Sequence, residues 1–278
     1  MRSDAIAGIA HEALEHLEAD SPQPETWPAQ IEGLIQRSFP LASSPAVTNK
    51  SAELDQAGVA LWNASTSLLR RSEDPRRRPS SQQQQQPLIH QAALLRTFAC
   101  LLLDASYSSS SRCLKNPQQR VRTFKITLKA VRFCLEHNEL PLTQKTLERC
   151  SDYAIAVEEA TPVIQPAGEG EGTNSDVLLK RLAQEYYLLR VMHSWKSDRL
   201  DLAEHFYNKT RTLIGTDLAG NAAELYHVIG TSLMKQQVLP QAKSWLGRAA
   251  ETLEACNVEQ EGVDLSELRL ATTASQGL

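Results

Sequence analysis

Tyr226-His-Val-Ile-Gly-Thr-Ser-Leu-Met-Lys-Gln-Gln-Val-Leu-Pro-Gln-Ala-Lys-Ser-Trp-Leu-Gly-Arg-Ala249 reads as two helices with a corner between them. Apolar or small residues fall at Tyr226, Ile229, Gly230 and Leu233, then at Ala242, Leu246 and Ala249. Steps of three and four keep one face of each helix turned toward a neighbour. The corner at Val238 to Pro240 follows because proline cannot sit in a helix interior without losing a backbone bond. Gly230 and Ala242 are small where two antiparallel helices would cross, and the bulkier residues fill the space around the crossing.

This spacing resembles the tetratricopeptide repeat, and looser copies lie upstream. With Ala203 set where Ala242 stands, the preceding hairpin reads Tyr187, Val191, Ser194, Ala203, Tyr207 and Thr210, 39 residues earlier, with Arg190 poorly suited to an apolar position. With Thr143 there, a third copy reads Thr127, Ala130, Val131, Cys134, Thr143, Leu147 and Cys150, a further 60 residues earlier. A fourth, more degenerate unit places Trp62 at the first aromatic position, its second helix running from Leu88 to Tyr107. A single hairpin cannot bury its apolar stripe, so such units stack and their first helices line a groove. The expected fold is all-α without a sheet: a right-handed superhelical solenoid of antiparallel helix pairs.

Composition agrees. The 278 residues include 38 Leu and 32 Ala against 12 Val and 10 Ile, the order of helix propensity. Helical periodicity recurs near 3–19, 28–38, 52–71, 88–107, 118–137, 142–160, 176–197, 199–213, 219–236, 239–255 and 264–274. Residues 1–50 read as N-terminal helices whose packing the sequence does not fix and 51–275 as the repeats. Flexible insertions are expected at 73–87, around five consecutive glutamines, and at 162–175, where Gly168, Gly170 and Gly172 stand among acids. The most apolar run, Ala99 to Leu103, stops at Asp104, and no membrane span is expected. Met1 to Asp20 carries His11, Glu12, Glu15 and Glu18 where a secretory signal needs an apolar core, which points to an intracellular protein.

Net charge is −4, but residues 1–69 sum to −6, 70–132 to +10 and 133–278 to −8. The basic middle contains Arg70, Arg71, Arg76, Arg77, Arg78, Arg120, Arg122, Lys125, Lys129 and Arg132, and suits weak nucleic-acid contact or an acidic partner. Arg70-Arg71 with Arg76-Arg77-Arg78 resembles a bipartite nuclear import signal.

Enzyme chemistry has no visible carrier. His11-Glu-Ala-Leu-Glu-His16 spaces its histidines by five, about 140° apart around a helix, so the two cannot grip one metal as an i, i+4 pair does. His137, His193, His205 and His227 stand alone within helical periodicity. Cys100, Cys113, Cys134, Cys150 and Cys256 form no C-x-x-C pair, and phosphate loops and nucleophile elbows are absent. No catalytic residue, cofactor or metal is expected. Projecting the first helices gives a partner-binding groove of Lys125, Leu128 and Arg132, then Glu185, Leu188, Met192 and Trp195, then His227, Thr231 and Met234, with Met192 and Trp195 the leading contact. A clamp for a C-terminal carboxylate needs more cations than Arg132 supplies at the corresponding positions.

Specific motifs add a family resemblance. Gly58-Val-Ala-Leu-Trp-Asn63, Leu95-Arg-Thr-Phe-Ala-Cys-Leu-Leu-Leu-Asp104, Lys129-Ala-Val-Arg-Phe-Cys-Leu-Glu-His-Asn-Glu-Leu140, Tyr187-Leu-Leu-Arg190 and Trp195-Lys-Ser-Asp-Arg-Leu-Asp-Leu-Ala-Glu-His205 resemble, in order, the fungal meiosis-specific Zip-four / Spo-twenty-two family, and Ser266-Glu-Leu-Arg-Leu270 resembles its next helix. The resemblance implies a nuclear protein of meiotic chromosomes, a repeat scaffold for other crossover and synapsis proteins that promotes crossover formation and synaptonemal complex assembly. It also implies a longer protein, of which this chain is expected to be the N-terminal portion. Two alternatives are a general repeat adaptor unrelated to meiosis and a direct DNA binder using 70–132.

Overall fold

The computed structural model describes residues 3–19, 26–38, 45–73, 82–109, 117–160, 174–213 and 216–257. Eleven helices account for nearly all of them: α1 (Ser3–Ala19), α2 (Trp27–Ser38), α3 (Pro45–Asn49), α4 (Ser51–Glu73), α5 (Gln82–Ser109), α6 (Pro117–Glu136), α7 (Leu140–Ala160), α8 (Asn174–Lys196), α9 (Leu200–Leu213), α10 (Thr216–Lys235) and α11 (Leu239–Asn257). Among the described residues there is no strand. Helices adjacent in sequence pack as pairs, α4 on α5, α6 on α7 and α10 on α11, which is the packing of a helical solenoid. The expected helix at 264–274 lies outside the described residues.

The chain divides into two units, 1–186 and 187–278, the boundary falling within α8. In the first, α5 is the central element, packed by α2, α3, α4, α6 and α7. Its Ala92 to Leu95 and Phe98 to Leu103 are all buried. This corrects the reading of its hydropathy: Gln86–Tyr107 is long and apolar enough to cross a bilayer, but 72% of that window is buried, so its apolar surface serves this core. Ile6, Ala10 and Ala13 of α1 and Trp27, Ile31, Leu34 and Ile35 of α2 join the same core as Leu54 and Leu61 of α4. The N-terminal helices therefore complete the first unit. α5 also begins earlier than periodicity suggests, since glutamine is a good helix former and Gln82 to Gln86 already belong to it. Pro87 is tolerated near the helix start with Gln86 and Pro87 both exposed. The remainder of the two expected insertions, 74–81 and 162–173, lies outside the described residues.

Three hairpins turn in the same way. Asn138, Asp198 and Gln237 have φ of 61°, 57° and 64°, the left-handed region in which a helix ends. In each, the next residue's N–H reaches back five residues, Glu139 to Cys134 at 2.8 Å, Arg199 to Ser194 at 2.9 Å and Val238 to Leu233 at 3.0 Å. The left-handed residue itself donates three residues back, to Leu135, Trp195 and Met234. That pair of bonds satisfies carbonyls the helix leaves open. Turns spaced by 60 and 39 residues match the intervals expected from the repeats. A left-handed conformation costs an L-residue about 1 to 2 kcal/mol, less for Asn and Asp. Gln237→Gly is therefore expected to stabilise by about 0.5 to 1 kcal/mol after the entropy of a freer unfolded chain is subtracted, and Asn138→Gly by less. Urea midpoints of the two variants would check that order.

The crossings are set by two glycines. A Cβ on Gly230 would stand 2.7 Å from Leu246 Cγ and 3.1 Å from the Leu246 backbone nitrogen; one on Gly58 would stand 2.8 Å from Leu103 Cγ and 3.0 Å from the Ala99 carbonyl oxygen. Superposing these crossings sets Leu54, Leu61, Ala99 and Leu103 on Tyr226, Leu233, Ala242 and Leu246, all buried. The first hairpin thus repeats in a register eight residues earlier than the one that placed Trp62 at the aromatic position. Close approach selects the register, and Trp62 has another use, described below. In the α6/α7 hairpin Thr143 takes the place of Ala242; its hydroxyl folds back onto the Glu139 carbonyl at 2.9 Å, so the polar group is satisfied within its own helix.

The second unit packs Leu188 and Val191 of α8, Ala203 and Tyr207 of α9, Tyr226 and Ile229 of α10, and Ala242 and Trp245 of α11 into one core. Tyr207, Tyr226 and Trp245 have mutual centroid distances of 5.2 to 5.7 Å with tilted or edge-on rings, the arrangement aromatic quadrupoles favour.

Candidate partner-binding face

The first helices of successive hairpins supply the polar residues expected to meet a partner. In the first unit, Arg122 of α6 reaches Asp55 of α4 at 3.7 Å, and Arg132 forms a close ion pair with Glu185 of α8. α6 is thus flanked by carboxylates from the first helices on either side. Lys125 and Lys129 are exposed between these two arginines, whereas Leu128 is buried beneath them. The expected groove residues Lys125 and Arg132 therefore share one face of α6.

In the second unit the expected residues have mixed surroundings. Leu188 is buried in the core it shares with residues of α9, α10 and α11, so its side chain supports the face without forming it. Met192 is half-buried, and Trp195 packs partly on the core edge. Thr231 donates its hydroxyl to the His227 carbonyl at 2.9 Å, which turns the polar group back into its own helix. His227 is half-buried and its Nε2 has no hydrogen-bond partner. Arg190, the apparent misfit of the repeat, lays its guanidinium over the Phe206 ring at 4.4 Å, a contact in which a cation suits an apolar neighbour. Arg248 similarly lies between Tyr207, at 4.2 Å, and Trp245, at 4.5 Å, and pairs with Glu204.

Much of the basic segment is engaged internally. Arg71 donates to the Leu17 carbonyl at 3.2 Å, beside a groove of about 300 Å³ between α1 and α4 lined by Leu14, Leu17, Ala60, Ala64 and Leu68. Arg96 is held between the rings of Phe133, at 4.1 Å, and Trp62, at 5.3 Å, and donates to Ser65 Oγ; burial lowers its pKa. That sandwich gives Trp62 its role. Arg70 is exposed, and Arg76 to Arg78 lie outside the described residues.

Sequence reasoning missed a buried polar cluster joining α5 to α7. Asp104 accepts from Tyr153 Oη at 2.6 Å and from Arg149 Nε at 3.0 Å, and Arg149 also reaches Asp152 at 2.9 Å. Burial opposes the Arg149 charge, and the Asp104 carboxylate outweighs it, so its pKa is raised. Burial pushes the Tyr153 phenol far up, reinforced by the Asp104 charge, and burial pushes Tyr226 up to about 12. Both phenols keep a proton that unfolded tyrosine loses near pH 10. Their contribution to stability is complete below about pH 10 and is lost as pH rises through and beyond about 12. Phenolate absorbance is expected to show these two tyrosines ionising only together with unfolding. The signal that could have revealed the cluster is Asp104 itself, a lone acid ending the chain's most apolar run.

The cysteines Cys100, Cys134 and Cys150 are free and buried. Burial raises all three thiols, Cys134 to about 12, which suppresses the thiolate that nucleophilic or redox chemistry requires. Cys113 and the Cys256 side chain lie outside the described residues. His11 pairs with Glu15 at 3.2 Å on the exposed side of α1, and among the described residues no group of three or more His, Cys, Asp or Glu is placed to hold a metal ion. The first unit thus offers the exposed cations of α6, and the second a half-buried Met192 and Trp195.

Comparison with curated proteins and with solved structures finds no match. Residues 193–275 match a family described as Meiosis protein SPO22/ZIP4 like. The matched segment begins at the end of α8 and takes in α9, α10 and α11 with the turns at Asp198 and Gln237. Over this segment the chain is similar to the SPO22/ZIP4-like meiosis protein family, the family that its ordered motifs resemble.

Proposed function

We propose that this chain is a non-enzymatic helical-repeat scaffold in meiotic recombination, promoting crossover formation and synaptonemal complex assembly by holding other crossover and synapsis proteins on meiotic chromosomes in the nucleus. The observation that carries this reading is the meiosis-protein match at 193–275, laid over hairpins whose turns recur at Asp198 and Gln237. Within a unit, stacked hairpins act by presenting a face to a partner. Lys125, Arg132, Met192, Trp195, His227 and Thr231 are the residues assigned to partner contact, with Leu188 positioning Met192 from within the core. Direct DNA binding is the weaker reading, since Arg71, Arg96, Arg122 and Arg132 are engaged by a carbonyl, two rings and two carboxylates.

Deleting the gene is expected to lower crossover frequency and spore viability, with homologues mis-segregating at the first division. Unchanged crossing over and full viability would count against the proposal. Duplex binding that falls steeply with salt, the signature of counterion release, would instead favour the DNA reading.

A further inference from the structure

The α6 residues Gln118, Arg122, Lys125, Lys129, Arg132 and Glu136 are spaced four, three, four, three and four apart, and all are exposed. That period keeps a single stripe on one face of the helix. Its four cations span about 15 Å at 1.5 Å per residue. The end cations are already paired with carboxylates borne by other helices, Asp55 on α4 and Glu185 on α8, while the side chains of the central two, Lys125 and Lys129, face solvent.

We propose that this stripe is the docking line for an acidic helix of a partner protein, whose carboxylates address Lys125 and Lys129. The inference rests on the scaffold reading and names the chemical class of its partner. Charge complementarity favours a peptide over nucleic acid. Asp55, Glu136 and Glu185 lie beside or within the stripe, leaving four cations against three acids. A phosphate backbone carries negative charge at every step and would meet those acids at close range. A helix can place its carboxylates opposite the two lysines and neutral or basic residues opposite the acids, and repulsion by the acids then rejects polyanions. The arrangement at Arg132 and Glu185 already shows a helix-borne carboxylate seated on this face.

The test uses the full chain and an alanine-based helical peptide of about 20 residues with glutamates at alternating three- and four-residue steps. Its glutamine counterpart and a DNA duplex of similar length serve as competitors. The glutamate peptide is expected to bind more tightly than the glutamine peptide, and Lys125→Glu/Lys129→Glu to weaken it about tenfold, as two exposed pairs turned from attraction to repulsion imply. Lys243→Glu on α11 should leave binding unchanged. Both substituted positions are exposed, so helicity by circular dichroism should not alter, and Lys125→Gln/Lys129→Gln gives a milder loss that separates charge from misfolding. Equal affinity for both peptides, or a loss on reversal seen only with the duplex, overturns the inference. A crossover defect on gene deletion without peptide binding would remove the acidic-helix assignment and leave the meiotic reading standing; peptide binding with normal crossovers would do the reverse.

Discussion

Replacing Gly230 with leucine is expected to destabilise the α10/α11 hairpin by about 3 kcal/mol, the upper part of the range for overpacking, and to lower the melting temperature by roughly 6 to 12 °C. The reason is local. The first added carbon already falls 2.7 Å from Leu246 Cγ and 3.1 Å from backbone nitrogen, so relief requires the helices to part. Even Gly230→Ala is expected to lose stability, because the steric term of about 1 to 3 kcal/mol exceeds the gain of about 1 kcal/mol in helix propensity. Gly220, ten residues earlier in the same helix, meets nothing within 4 Å; Gly220→Ala should therefore stabilise by up to about 1 kcal/mol. One substitution in one helix thus changes sign with position. Adding Leu246→Ala to Gly230→Leu should cost less than the two separate losses combined by about 1 to 3 kcal/mol, since the new side chain fills the space vacated. Additive losses would show that the crossing is looser than the contacts indicate.

Asp104→Ala is expected to cost about 3 to 5 kcal/mol. It leaves the Arg149 guanidinium and the Tyr153 hydroxyl without the acceptor that both use, in a site where Asp104 is 5% exposed. The Tyr153 hydroxyl and the Arg149 Nε–H left short of an acceptor, more than the lost attraction, set this magnitude, and the remaining Arg149 pair with Asp152 places the loss toward the lower end. Replacing the ionic pair by apolar groups of similar size, Asp104→Leu with Arg149→Met, should recover most of the loss. Urea denaturation of the two single variants and the double variant separates these outcomes. A loss below 1 kcal/mol for Asp104→Ala would mean that water reaches the site and satisfies Arg149.

These two expectations mark the boundary of what the amino-acid sequence discloses. Helix positions were legible because three- and four-residue steps, proline corners and short turns are local signals, and α1, α2, α4 and α6 to α11 fall close to their expected ranges. The crossing at Gly230 was legible because both helices lie within one short hairpin. The equivalent crossing at Gly58 was not, since Leu103 is 45 residues away and Trp62 offered a more conspicuous marker. Asp104 with Arg149 and Tyr153, and Arg96 between Trp62 and Phe133, join residues separated by 34 to 49 positions; no periodicity records such pairs. α3 escaped for a different reason, being five residues long and opening on a proline that otherwise reads as a break. Of the groove residues, the exposed cations Lys125 and Arg132 could be placed by projecting a single helix. Leu188 could not, because only its neighbours on α9 and α10 determine that it is buried.

The most direct measurement of the account's central claim is crossover frequency in meioses of cells lacking this chain, set beside its recovery by the same gene carrying Gly220→Ala or Gly230→Leu. A meiotic scaffold predicts fewer crossovers and poor spore viability on deletion, rescue by the Gly220 variant, and weaker rescue by the Gly230 variant in proportion to its lost stability. Normal crossover frequency and normal segregation in the deletion strain would contradict it.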